Sequence, residues 1–181
     1  MYFKKLIGER CYLSPIDLDD AAKYTEWLND LDTVRYLTLA PLVVSFEAER
    51  EILKSLSKEH NYAIVENGQD RLIGNCGLMD LDRTNLTAEA GIFIGDKEYL
   101  GKSYGREALS LLVDYAFRYL NLQNIMLRVY SFNDRALKCY DGLGFKTIGR
   151  RRKALRRNLE THDVIFMDLI PEDFYRDAPE R

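Results

Sequence analysis

The chain has 181 residues, 46% of them hydrophobic and 30% charged, with a formal net charge of -3. That length suits one domain, residues 1–181, with a core large enough to fold alone, and the slightly acidic balance gives no reason to expect a nucleic-acid partner. No apolar run approaches the ~20 residues that span a bilayer, and Met1-Tyr2-Phe3-Lys4-Lys5 leads into no signal-type segment, so no membrane association is expected.

Glu9 to Pro15 reads as a first strand, ended where proline removes a ladder donor. Asp17 and its acidic neighbours start a helix to about Asn29, with Ala21, Tyr24 and Leu28 on one face and Trp27 beside it. Leu31 to Val44 is irregular, and Pro41 forbids a long helix there. Ser45 caps a second helix over Glu47 to Leu56. Tyr62 to Glu66 is a strand, Asn67-Gly68 is a hairpin turn, and Arg71 to Leu81 returns with a bulge signalled by Gly74 and Gly77. Arg83-Thr84-Asn85 turns the chain again. Later come a strand at Ile125 to Tyr130, a short helix from Asn133 to Leu143 closed by Gly144, and a hairpin of Phe145–Arg152 with Val164–Leu169. Antiparallel strands first, then β-α-β-α-β, imply an α+β fold or α/β three-layer sheet. Cys11, Cys76 and Cys139 are odd in number and lack metal-type spacing, which points to reduced thiols in a cytoplasm and to no metal site.

Ala88 to Tyr119 organises the rest. Gly91-Ile92-Phe93-Ile94 is a buried-type strand, Gly101-Lys102-Ser103-Tyr104-Gly105 a glycine-bearing turn, and Ala108, Leu109, Leu112, Tyr115, Ala116 and Tyr119 recur at helical spacing. The first N–H groups of a helix lack intrahelical partners and its dipole there favours negative charge. Glycines let a backbone approach phosphate closely. The stretch reads as a pyrophosphate cradle.

Three segments resemble the GNAT superfamily of acetyl-CoA-dependent N-acetyltransferases over essentially the whole chain. They are Leu100-Gly101-Lys102-Ser103-Tyr104-Gly105-Arg106, then Asn133 to Phe145 with Asn133, Ala136, Tyr140, Gly144 and Phe145 at the family's spacing, and finally His162 to Leu169. The branch they resemble contains the ribosomal-protein N-terminal acetyltransferases and the spermidine acetyltransferases. The resemblance implies a mixed, mostly antiparallel sheet of six to seven strands, with a splayed central pair and flanking helices. It also implies acetyl-CoA as cosubstrate. Backbone groups of Ile92, Phe93 and Ile94 would meet the pantetheine arm. Leu100 through Arg106 would hold the diphosphate, with charge added by Lys102 and Arg106, and Asn133 and Ala136 would contact the cofactor from the next helix.

Two residues depart from the family pattern. Leu100 replaces the usual Gln or Arg, and Ser103 replaces the middle glycine. A left-handed Ser103 costs about 1 kcal/mol or more relative to glycine. At the helix N-cap its hydroxyl instead helps bind phosphate, and that reading is preferred because Gly101 and Gly105 remain to relax the turn.

Tyr140 matches the family's general acid; the plainer reading is packing beside Ala136 and Leu143. Glu89 is the preferred base, acting through water, against an ordinary surface carboxylate. Asp80, Asp82 and His162 are weaker candidates, and Asp163 is expected to be structural. Cys139 lacks a nearby histidine, so no covalent cysteine mechanism is expected. The basic run Arg150, Arg151, Arg152, Lys153, Arg156 and Arg157 is either a solvated hairpin tip or a wall for an acidic acceptor. The expected activity is transfer of acetyl to a primary amine, preferably a protein N-terminus. The alternatives are a polyamine, amino sugar or aminoglycoside, or a non-catalytic acyl-CoA-binding domain. Monomer and homodimer are both open.

Overall fold

In the computed structural model the chain packs as two compact units, Met1–Leu78 with Gly91–Leu112, and Met79–Ala90 with Val113–Arg181. The structure describes residues 1–176. Eight strands hydrogen-bond in the order β1-β2-β3-β4-β5-β6-β8-β7. They are β1 (Leu6–Ile7), β2 (Cys11–Pro15), β3 (Asn61–Glu66), β4 (Leu72–Asp82), β5 (Thr87–Ile94), β6 (Asn124–Tyr130), β7 (Lys146–Arg157) and β8 (Glu160–Leu169). One more strand forms than the sequence suggests, because a two-residue strand such as Leu6–Ile7 is too short to show alternation.

In the first unit β1, β2, β3 and β4 pair antiparallel in turn. Helices α1 (Ala21–Leu28) and α2 (Phe46–Leu56) contribute to a core of Tyr12, Tyr24, Trp27, Leu53, Ala63 and Val65. A 3-10 turn, Leu18–Asp20, precedes α1, and Asp17 caps it by accepting from the Asp19 N–H. Ser45 caps α2 as expected, its Oγ accepting from the Ala48 N–H at 3.2 Å. The expected bulge in β4 is displaced. Ile64 pairs with Gly74 and Val65 with Leu72, so Ile73 is the extra residue. Gly74 answers to crowding instead: a Cβ there would lie 2.1 Å from the Phe93 carbonyl oxygen. The Tyr24 hydroxyl also donates to the Gly74 carbonyl at 3.2 Å.

In the second unit β5 pairs in parallel with β6 from Thr87–Asn124 to Glu89–Met126. β6 then pairs antiparallel with β8, and β8 with β7. Directly paired residues share a face of the sheet. One face therefore carries the buried Ile125, Leu127, Val129, Ile165 and Met167. The other carries Met126, Arg128, Tyr130, Val164 and Phe166, all at least partly exposed.

Helix α3 (Tyr104–Tyr119) runs through both units, and α4 (Asp134–Asp141) and α5 (Pro171–Phe174) complete the second. The chain reverses after α4 at Gly144, whose φ is +99° and where a Cβ would meet the Asp173 carbonyl oxygen at 2.9 Å. Helix α5 escapes sequence reading because one turn shows no periodicity, although Pro171 holds the first helical position that proline favours. No helix among the described residues is long and apolar enough to cross a membrane.

Candidate active site

The phosphate-binding candidate lies in the first unit, between the end of β5 and the start of α3. Asp96 opens the connection, accepting from the Glu98 N–H at 3.1 Å and pairing with Arg71 at 2.7 Å. Arg71 also reaches Glu98 at 3.1 Å, and Lys97 pairs with Asp30 at 2.6 Å. The backbone entering the turn is thus pinned by charge before any ligand arrives.

Gly101 then takes φ +74°, with no atom near the place of a Cβ, so conformation and not space calls for glycine. Ser103 has φ +68°. Of the two alternatives posed for it, the left-handed one holds and the preferred unstrained one does not. Its carbonyl accepts the first helical bond, from the Glu107 N–H at 3.0 Å, which puts it at the head of α3, yet its backbone is left-handed. The strain the sequence reading sought to avoid is therefore present, at about 1 kcal/mol. Gly105 does not relax the turn. It lies inside α3, with ordinary van der Waals room for a Cβ beside Ile94 and Ile92 at 3.6 and 3.7 Å.

The N–H groups of Tyr104 and Gly105 precede that first bond, at the end of the helix where backbone donors lack intrahelical acceptors. Lys102 and Arg106 are exposed beside them, and Leu100 is half-buried. Backbone donors, a positive dipole end and neighbouring cations suit a diphosphate. The first turn of α3 is also tied to β2, because Glu107 Oε1 accepts from the N–H of Arg10 at 2.8 Å and of Cys11 at 3.3 Å.

The acid–base candidates lie in the second unit. Asn133 caps α4, its Oδ1 accepting from the Ala136 N–H at 3.3 Å. One turn on, Tyr140 is half-buried with its ring 5.9 Å from that of Phe145. Burial pushes its phenol up to about 12, the Cys139 thiol adding to the rise and Arg135 opposing it. The phenol is therefore fully protonated at neutral pH.

Glu89 is only 8% exposed, and its Oε1 accepts from Arg128 Nε at 2.7 Å. It is not the ordinary surface carboxylate of the plainer reading. Arg128 escaped the sequence reading. Alternation in Ile125-Met126-Leu127-Arg128 already sets it opposite the buried face, but only the β5–β6 register brings it to Glu89.

His162 is engaged elsewhere, 3.8 Å from Glu160 and stacked near Phe132 at 4.5 Å. Asp82 serves its own turn, accepting from the N–H groups of Thr84 and Asn85 at 2.8 Å. Asp163 is structural: it accepts from the Lys153 N–H at 2.8 Å and pairs with Arg150 at 3.4 Å. Cys11 and Cys76 are buried, and burial pushes the Cys11 thiol up to about 12 and the Cys76 thiol well above its ordinary value.

A strand leading through a glycine-bearing turn into a long helix, followed by a β-α unit, is the order of elements on which the resemblance to the acetyl-CoA-dependent transferases rests. Residues 10–146 match the acetyltransferase (GNAT) domain, and the chain belongs to that family. It is an acetyl-CoA-dependent N-acetyltransferase.

A probable N-acetyltransferase of Bacillus subtilis is 30% identical over 93% of this chain and 98% of its own length. The spermidine N(1)-acetyltransferase of Escherichia coli K12 is 28% identical over 90% of this chain and 87% of its own. Among solved structures, spermidine N-acetyltransferase from Vibrio cholerae in complex with CoA and spermine superposes with a TM-score of 0.82. It is 25% identical over 92% of this chain and 99% of its own.

Proposed function

We propose that this enzyme acetylates the N-terminal amine of a polypeptide, by direct attack of that amine on the thioester of acetyl-CoA in a ternary complex. In this reading residues 1–181 work as one catalytic domain in the cytoplasm. The N–H groups from Gly101 to Arg106 grip the diphosphate, Leu100 borders it, and Lys102 and Arg106 add charge. Backbone groups of Ile92, Phe93 and Ile94 pair with the pantetheine amides, and Asn133 and Ala136 contact the same arm.

Glu89 takes the proton released by the attacking amine, through water, and Tyr140 supplies a donor to the departing sulfur. The C–S bond breaks as the N–C bond forms. A phenol at about 12 is a weaker acid than a free thiol at about 8.5. Tyr140 therefore contributes chiefly a hydrogen bond to the developing thiolate, and full proton transfer accompanies loss of the proton from the amine.

Direct attack is supported by two of the three thiols: Cys11 and Cys76 are buried and held protonated, which leaves them unsuited as acyl carriers, while the half-buried Cys139 has no nearby histidine in sequence to activate it. The acceptor reading rests on the partly exposed face of Arg128, Tyr130, Val164 and Phe166, beside the buried Glu89. A second reading, a polyamine acceptor, is favoured by the relatives and the solved structure named for spermidine. Thiol release measured over a panel of peptides with free N-termini, with spermidine alongside, separates the two. Turnover of spermidine with no peptide overturns the N-terminal reading. Tyr140→Phe is expected to lower kcat about 10²–10⁴-fold with CoA affinity retained.

A further inference from the structure

Tyr130 pairs with Val164, which pairs in turn with Arg151, so all three side chains share one face of the second unit. Arg128 stands two residues from Tyr130 on that face, bound to Glu89. Arg157 pairs with Glu160, which alternates with His162 and Val164 along β8, so Arg157 falls on the same face. Burial raises the Tyr130 phenol above its ordinary value, and the positive charges of Arg157 and Arg128 oppose the rise. The Tyr130 ring stacks on Phe132 at 5.8 Å and 6°. Phe132 in turn meets His162. This is a partly exposed platform of aromatic rings edged by arginines.

The hairpin beside it is built to present more charge. Arg151 pairs with Val164 and Leu155 with His162, so three residues, Arg152 to Ala154, bulge opposite Asp163 alone. Lys153 takes φ +52° at the bulge, whose backbone is held by the hydrogen bond to Asp163. Arg150 shares that carboxylate. Arg151, Arg152 and Arg156 are exposed and have no ion-pair partner among the described residues. The single acidic group inside the bulge is thus spent on its geometry, and the cations remain available to a ligand.

We propose that this face, Arg128, Tyr130, Arg151 and Arg157 with the bulge at Arg152, binds an acidic segment that follows the acceptor's N-terminal residue. The proposal rests on the N-terminal reading above and narrows it to acidic sequences. Charge complementarity selects the occupant: carboxylates spaced along an extended chain meet arginines spaced along a strand, whereas a polycation meets like charge.

The test uses the whole chain and a peptide of four glutamates, N-acetylated and fluorescein-labelled at its C-terminus, with a glutamine counterpart. Anisotropy at low salt is expected to show the glutamate peptide binding about tenfold more tightly than the glutamine one. That preference is expected to fall to near unity at high salt, and in a triple variant Arg151→Ser, Arg152→Ser, Arg157→Ser. Equal affinity for the two peptides, or an unchanged preference in the triple variant, overturns the proposal. Because the blocked peptides need not react, this readout stands apart from the choice of amine. Should only spermidine be acetylated while the charge preference holds, the N-terminal reading fails and the anion-binding face stands.

Discussion

Among the described residues each unit buries one glutamate, and the two have opposite company. Glu89, 8% exposed, is held by the Arg128 guanidinium at 2.7 Å. Glu49, on the buried side of α2, is 3% exposed, and its Oε2 has no hydrogen-bond partner among the described residues. Burial alone pushes the Glu49 carboxyl up to about 7. Its negative charge would also bear on the phenol of Tyr24, which burial raises far above its ordinary value. The contrast shows that depth in the fold does not fix what a carboxyl can do. A cation within reach gives one a counter-ion, while the other has none and burial alone raises it.

The largest effect expected from breaking this contrast is at the paired site. Glu89→Gln removes the proton acceptor and is expected to lower kcat/KM for the amine about 10²–10⁴-fold, measured by thiol release. Arg128→Gln takes away the guanidinium that holds Glu89 and is expected to lower kcat/KM for the amine by a smaller factor; an unchanged value would show that the pair does not position Glu89.

At the unpaired site the readout is stability. Below the ordinary value of 4.5 Glu49 is protonated folded or unfolded, and it costs nothing. As pH rises from there to about 7 the unfolded chain releases the proton that the folded chain keeps, so the folded state loses stability, and the loss levels off above. Glu49→Gln is expected to remove that loss, worth up to about 3 kcal/mol at pH 8, with little change at pH 4. Thermal melts at the two pH values check it. The smallest effect belongs to the turn. Ser103→Gly relieves a left-handed serine and is expected to add about 1 kcal/mol of stability.

Much of this molecule is legible in its order of residues. The strand, turn and helix from Thr87 to Tyr119 announce themselves, because a buried strand, a glycine turn and a three-four apolar repeat each leave a local pattern. The Asn133–Phe145 block does the same, its asparagine cap and reversing glycine being demands of the local backbone. What stayed hidden depends on pairing across distance. The crowding that requires Gly74 comes from the Phe93 carbonyl, the counter-ion of Glu89 comes from another strand, and Glu49 sits unmarked among the charged residues of an amphipathic helix.

Sequence by itself determined most of the elements and their order, since these follow from backbone preferences and periodicity within a few residues. Tertiary structure alone decided which carboxylate has a cation, which cysteines are sealed from reaction and which arginines share a face with the aromatic rings. Strand register and burial set all three, and both are properties of residues that lie far apart along the chain.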